Sequence, residues 1–399
     1  MADVITADTE VVSDRRRGIL ANARREAEAR RLDEVLIVDV DCHIMETLRF
    51  KDLVPYIDHP QVRRIVERYP SFTSIIPGGG GDREVAGRIF RDPPIVASYG
   101  HASPEQLLEE MDTIGIDYAF IFPTPMLNLG MSPDVELEVA LAQGYNRWVT
   151  DTWLQVSDRI RALLYLPFGD ADASYREVVE LGERRGVEGF MVTSARTTPV
   201  HHRSYMKVYA ALEERGLPIG FHGIVQWREG ALAQLNRFLS AHAIGFPLSN
   251  MIHLANIVIN GLPQRFPRLR WIFLESGLFW IPFIAHRLDN EYRMRPSEAP
   301  LLERLPSEYI RDFYFSTQPL EVPERPEHLE MVMDMIDGRR HLLYASDWPH
   351  WDFDLPSRVY DLPFLSEADR RAILGGNAAE LFGLPTSVAR RPGAGGDGR

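Results

Sequence analysis

Val38-Asp39-Val40-Asp41-Cys42-His43-Ile44-Met45-Glu46, VDVDCHIME, closes the first strongly apolar run of the chain. A short apolar run of this kind reads as a buried strand, here over residues 35–40. Its end is crowded with Asp39, Asp41, His43 and Glu46. A buried carboxylate is costly unless it is paired or binds a cation, so this strand is expected to finish against positive charge. Side chains two residues apart share a face of a strand, which sets Asp41 and His43 on one side and Cys42 on the other. Cys42 then falls in the layer between strand and helices, as a small buried hydrophobe and not a nucleophile.

Downstream, seven more apolar runs of strand length recur at 118–122, 162–166, 189–192, 218–221, 271–274, 313–315 and 342–345, making eight. Amphipathic stretches such as SYREVVELGERRG and SYMKVYAALEERG lie between them, the latter closing on Gly216 before the next run. Alternating strands and helices imply a parallel sheet, and eight such units imply a closed (β/α)8 TIM barrel of the α/β class. An open doubly wound sheet is disfavoured because no Gly-rich dinucleotide fingerprint follows the first run. The expected organisation is an N-terminal helical extension over 1–34, a barrel domain over 35–388 and a disordered tail over 389–399. The connection at 50–115 is too long for a simple crossover and leaves the C-terminal end of a strand, so it is expected to cover the active face as a lid.

Composition narrows the function classes. Of the 399 residues, 57 are acidic and 44 basic, a net charge of −13, which argues against a nucleic-acid footprint or a basic membrane-docking face. Cys42 is the single cysteine, so no internal disulfide forms and a reducing cytoplasm is the expected compartment. No apolar stretch reads as a membrane span, and the N-terminus lacks the apolar centre of a secretion signal.

In a TIM barrel the chemistry sits at the C-terminal ends of the strands. There the first run gives Asp41, His43 and Glu46. The fifth, LPIGFHG, ends at His222, and the sixth, LRWIFLESG, at Glu275. The eighth, HLLYASDWPH, ends at Asp347 with His350 close behind. Residues 246–262 read as the helix after the fifth strand, with Ser249 or Asn250 as N-cap, which places His253 in the first turn near the same face. Each residue alone has a bland reading, since a lone Asp often caps a helix and a lone His is usually just hydrogen-bonded. Together, acids and histidines recurring at strand ends one, five, six and eight point to metal ligation.

DVDCHIME, GFHG, FLESGLFWIP, LYASDWPH and ILGGNAAELFGL, spread over residues 35–385, resemble the metal-dependent amidohydrolase-related barrels, the group that includes aminocarboxymuconate semialdehyde decarboxylase. In that group a first-strand His-x-His or Glu-x-His, a strand-5 His and a strand-8 Asp hold one divalent metal, which here implies Asp41, His43, His222 and Asp347. Two positions depart from the pattern. Asp41 stands first in the pair, and Glu275 stands where a strand-6 histidine is common.

With Glu46 and His253 the set holds four carboxylates and three imidazoles, more than one catalytic zinc would use, and four carboxylates would neutralise two divalent ions. DxHxxE, LESG and the additional helix histidine are similar to the TIM-barrel nonheme di-iron monooxygenases of diterpenoid (platensimycin-type) antibiotic biosynthesis. That resemblance implies two Fe ions on Asp41, His43, Glu46, His222, His253, Glu275 and Asp347, with Glu275 and Asp347 as catalytic residues. The bridging ligand is not readable from the sequence, and Glu275, near the middle of the set, is the candidate for it. It implies O2 and an electron donor as partners, and hydroxylation of a bulky apolar acid or its coenzyme A-linked form. Iron suits this chemistry because a ferrous pair gives electrons that zinc cannot. His350 is expected to support a ligand. The alternative is a mononuclear decarboxylase or hydrolase with one Zn or Mn ion, in which Glu46, His253 and Glu275 stand outside the coordination sphere. A non-catalytic binding barrel is a third reading, and it leaves four buried acids without a cation. Resemblance to the group also implies a homodimer.

Overall fold

Runs rich in Val, Ile, Leu and Phe suit strands buried on both faces, as parallel strands under helices are. The computed structural model, which describes residues 2–46, 50–68, 100–193, 198–224 and 231–387, has eight of them in one sheet. They are β1 (Val38–Ile44), β2 (Tyr118–Pro123), β3 (Ile160–Tyr165), β4 (Val187–Thr193), β5 (Ile219–His222), β6 (Trp271–Leu274), β7 (Tyr314–Ser316) and β8 (Leu342–Leu343). Each pairs in parallel with the next in sequence order. Hydrogen bonds then run from the segment after β8 back to β1. Val40 N donates to Tyr344 O (2.9 Å), Asp347 N to Asp41 O (2.8 Å) and His43 N to Trp348 O (2.9 Å). The sheet therefore comes round on itself as the expected TIM barrel.

Asp39, the first carboxylate of the opening stretch, holds this seam. Its two oxygens accept from Ser346 N (2.8 Å) and Ser346 Oγ (2.5 Å), and burial pushes the carboxyl up to about 7 against those bonds. β1 starts later than the 35–40 run suggests and continues through Ile44, because Cys42, His43 and Ile44 pair with Ile121, Phe122 and Pro123 of β2. Asp41 and His43 thus lie on the strand itself.

Side-chain alternation decides which residues face the barrel axis. Phe221 and Phe273 are register partners whose rings stack 5.4 Å apart, and Trp271 stacks on Phe221 at 6.2 Å, forming an aromatic layer under the helices. Gly220 faces inward, where a Cβ would come within 3.0 Å of Leu163 Cδ1. His222, two residues on, shares that inner face.

Only the two ends of the 50–115 connection, where a lid was expected, are described. Its last part is an ordinary crossover helix, Pro104–Ile114, capped by the Ser103 side chain and closed by Gly115 at φ 95°. Its first part forms the short helices Phe50–Leu53 and Pro60–Arg68, with Ile57 packed against Gly144 of the helix Val135–Trp148. Residues 69–99, like the tail from 388, lie outside the described residues. The chain returns at Gly100, where a Cβ would sit 2.6 Å from Ile44 C and Met45 N. The N-terminal helix, Ala2–Ala29, packs against Pro104–Ile114.

The helix expected at 246–262 is one long helix, Phe238–Ile259, with Pro247 inside it. Ser249 and Asn250 are therefore interior residues, not caps. Ser249 Oγ donates to Gly245 O (3.2 Å), and Asn250 Nδ2 bonds Leu274 O (3.0 Å) and Ser276 Oγ (2.5 Å). By length and composition this helix could cross a membrane, which the sequence reading did not anticipate, yet its Asn250, His253, Leu254 and Ile257 are buried within the fold.

Candidate metal centre

Two histidines are presented by the same device. His43 Nδ1 lies 3.2 Å from Pro123 O, and His222 Nδ1 lies 2.9 Å from Gly223 O. A backbone carbonyl accepts a hydrogen bond, so in each ring Nδ1 carries a hydrogen and Nε2 is the atom aimed into the cluster. Both Nε2 atoms stand 3.2 Å from Asp41 Oδ1. His43 Nε2 is also 3.1 Å from Asp347 Oδ1, and His222 Nδ1 is 3.4 Å from Glu275 Oε2. All five residues are buried.

Glu275 and Asp347 reach this cluster through backbone strain. Trp271 and Phe273 face the helices, so a regular strand would send Glu275 the same way. Instead φ is 50° at Glu275 and 57° at Asp347, left-handed values for non-glycine residues. Such strain costs on the order of 1–3 kcal/mol and persists where the surroundings impose it, commonly at functional sites.

The cluster fits a divalent cation. Asp41 Oδ2 and His43 Nε2 are buried without a hydrogen-bond partner. Ligand atoms of Asp41, His43, His222 and Glu275 lie within 4.8 Å of one another, and His43, Asp347 and His350 form an adjoining group. Lone pairs that converge without hydrogens between them repel unless a cation or a proton sits among them. The electrostatics carry that mark. Burial opposes charge on His43, yet the Asp347 and Asp41 carboxylates push the imidazole up to about 10. Asp41 is held low by His222 and His43 despite its burial, whereas burial and the neighbouring Asp347, Asp41 and Asp352 charges push the Glu275 carboxyl well up. Two imidazoles with carboxylates suit ions of the zinc or manganese kind.

Two of the sequence's ligand candidates stand elsewhere. Glu46 is committed to the turn after β2, where Oε1 accepts from Met126 N (2.7 Å) and Oε2 from Thr124 N (3.0 Å), and burial pushes it up to about 7. His253 packs on Phe221 at 5.5 Å between ring centroids, on the helix-facing side of β5. The helix starts at Phe238, so His253 falls about four turns in rather than in the first turn. His350 lies beside the cluster, with Nδ1 2.7 Å from Asp347 Oδ1, Nε2 3.3 Å from Thr124 Oγ1 and its ring stacked on His43 at 4.0 Å.

Sequence reasoning missed Gln318, a fully buried residue after β7. Its Nε2 donates to Asp347 Oδ2 (3.3 Å) and Asp352 O (3.2 Å), while its Oε1 has no hydrogen-bond partner. A neutral amide carries no titratable signal, and only its position at a strand end could have flagged it. Burial and the Asp347 charge push Asp352 up to about 8. Beside the cluster, a cavity of about 260 Å³ is lined by Glu275, Asp352, His242, Phe246, Trp280 and Pro319, among others.

The profile of the family described as Amidohydrolase matches residues 38–384, nearly the whole barrel. The chain belongs to the amidohydrolase family. It is 25% identical over 271 residues to the gamma-resorcylate decarboxylase of Rhodococcus jostii (strain RHA1), covering 63% of this chain and 79% of that protein. It is 21% identical over 286 residues to the 2-amino-3-carboxymuconate-6-semialdehyde decarboxylase of Dictyostelium discoideum, covering 70% and 77%. Among solved structures, 5-carboxyvanillate decarboxylase from Sphingomonas paucimobilis superposes with a TM-score of 0.62 at 20% identity, over 88% of this chain and 100% of that one. A dihydroxybenzoic acid decarboxylase from Polaromonas sp. JS666, solved with bound manganese, gives 0.62 at 18% identity, over 88% and 97%.

These decarboxylase relatives overturn the monooxygenase reading, and with it the oxidoreductase class and the link to antibiotic biosynthesis. The two irons are likewise unsupported. The physical reason is the ligand count, because the seven-residue set needed Glu46 and His253, and neither joins this amidohydrolase-family cluster.

Proposed function

We propose that this amidohydrolase-family chain is a metal-dependent decarboxylase acting on a small aromatic or unsaturated carboxylic acid. The observation that carries the reading is the contact of a buried carboxylate–imidazole cluster with a ring-sized cavity through one shared residue, Glu275. The names of the relatives from Rhodococcus jostii and Dictyostelium discoideum support the same chemistry. The cavity, about 260 Å³, lies just under the usual range for ligand pockets and suits one substituted ring rather than a polycyclic acid.

Asp41, His43, His222 and Asp347 would hold one Zn- or Mn-type ion, with Glu275 at its edge. When bound, the ion supplies positive charge that orients the acid and offsets the negative charge left behind as CO2 departs. The reaction breaks one C–C bond. Its electron pair stays on the substrate carbon, CO2 leaves, and that carbon takes a proton. Glu275 is placed to deliver this proton, because it belongs to both the cluster and the cavity wall. His350 and Gln318 hold the two oxygens of Asp347 from opposite partners, at 2.7 and 3.3 Å. Phe246, Pro247, Trp280 and Pro319 give the cavity an apolar side, which would disfavour the well-hydrated carboxylate relative to neutral CO2.

Protein stripped with a chelator and reloaded with Mn2+ or Zn2+, then offered a panel of hydroxybenzoic and related acids, tests this reading by CO2 release. Metal-dependent CO2 without O2 uptake is expected. Hydrolysis of amides or lactones by the same loaded protein, with no CO2 from any acid, would replace the decarboxylase with a hydrolase.

A further inference from the structure

A second buried polar network lies behind the metal centre and begins outside the barrel. Arg16, on the N-terminal helix Ala2–Ala29, grips Glu110 with two hydrogen bonds, Nε to Oε1 (2.8 Å) and Nη2 to Oε2 (2.6 Å). Its guanidinium carbon stands 5.4 Å from the centroid of the Trp348 ring, and its side chain is only 11% exposed. Glu110 Oε2 also accepts from Trp348 Nε1 (2.6 Å) and faces His101 Nε2 (3.2 Å). Gln106 Nε2 completes the carboxylate's partners at Oε1 (3.1 Å).

Both far ends of this network grip the strand ends that carry candidate ligands. His101 reaches the His43 carbonyl with Nδ1 (2.8 Å) and with its own backbone N (2.9 Å). Trp348, the neighbour of Asp347, accepts at its carbonyl from His43 N (2.9 Å). A buried ion pair adds little net stability, because desolvation offsets most of the attraction; what it can add is one fixed geometry. A bidentate guanidinium–carboxylate pair is well suited to that.

We propose that Arg16 is a positioning residue for the metal centre, acting through Glu110 on Trp348 and His101 and hence on the backbone that carries Asp347 and His43. The proposal rests on reading Asp41, His43, His222 and Asp347 as metal ligands. Loss of a group that orients a ligand lowers metal affinity about 10- to 100-fold.

The test is Mn2+ affinity by chelator competition, measured on the native chain, Arg16→Gln, Arg16→Lys and Arg30→Gln. Arg30, the residue just after that helix, pairs with Asp361 at Nε–Oδ1 2.7 Å in a more exposed ion pair, so Arg30→Gln removes a pair anchored at the helix end without touching the network. The expected order is native equal to Arg30→Gln, Arg16→Lys intermediate because it keeps the charge but loses the fork, and Arg16→Gln weakest by at least about tenfold. Should Arg16→Gln not fold, Arg16→Lys against Arg30→Gln carries the same comparison. Equal weakening by Arg16→Gln and Arg30→Gln would mean that the helix merely docks, and unchanged affinity in Arg16→Gln would also overturn the proposal while leaving the metal centre intact. A native chain that binds no ion would overturn the metal reading first, and this one with it.

Discussion

His43 and His222 turn their Nε2 atoms toward one and the same oxygen, Asp41 Oδ1, each at 3.2 Å. Both rings are oriented from behind by backbone carbonyls, so the convergence does not depend on mobile side chains. One divalent ion per chain is therefore expected. Asp41→Asn and His222→Ala should leave only a small fraction of it after dialysis, whereas Glu46→Gln and His253→Ala should keep it. Elemental analysis of the five proteins decides. An ion count lowered as strongly by His253→Ala would show that the site reaches past the cluster.

Glu275 carries a separate prediction, because it borders both cluster and cavity. Glu275→Gln keeps the shape but holds no transferable acidic proton, so CO2 release should fall by about 10²-fold or more with most of the metal retained. A variant within about threefold of the native rate would move the proton to another group, with His350 the next in reach.

The eight strands were legible because strands buried on both faces leave unbroken apolar runs, and the cluster was legible where such a run yields to a titratable residue. What separates Asp41 from Glu46 was not. Both are acids beside one strand, but the amides that occupy Glu46 come from Thr124 and Met126, 78 and 80 residues further on. His253 was misplaced because the true helix start, after Arg237, has no side-chain cap to mark it. Gln318 gave no signal because it does not titrate. Nothing in the sequence singled out Arg16 within the 1–34 extension, because its partner lies 94 residues away.

Cys42 lies on the opposite face of β1 from Asp41 and His43, with Sγ 3.4 Å from Trp348 O. Burial first, then the nearby Asp39 and Asp41 charges, pushes its thiol well up. Little thiolate forms and no reagent reaches it, so iodoacetamide should leave the folded protein unlabelled and modify it only as fast as the barrel opens. Rapid labelling at neutral pH without unfolding would contradict the packing described for β1.

Glu110 predicts how the protein responds to acid. Burial works against its charge, but His101 and Arg16 prevail and hold the carboxyl at about 2, below its ordinary 4.5. A depressed folded-state value means that the ionised group stabilises the fold above the unfolded value, and that this contribution is lost as pH falls from about 4.5 towards 2. A shift of this size corresponds to roughly 3 kcal/mol at neutral pH. Glu110→Gln has no group to titrate there. Its stability deficit relative to the native chain should shrink as pH falls from about 4.5 towards 2, as the native chain loses what the variant never had. Urea midpoints of both proteins across this range measure the gap. A deficit that holds steady down to about pH 3 would mean that Arg16 and His101 do not keep Glu110 ionised.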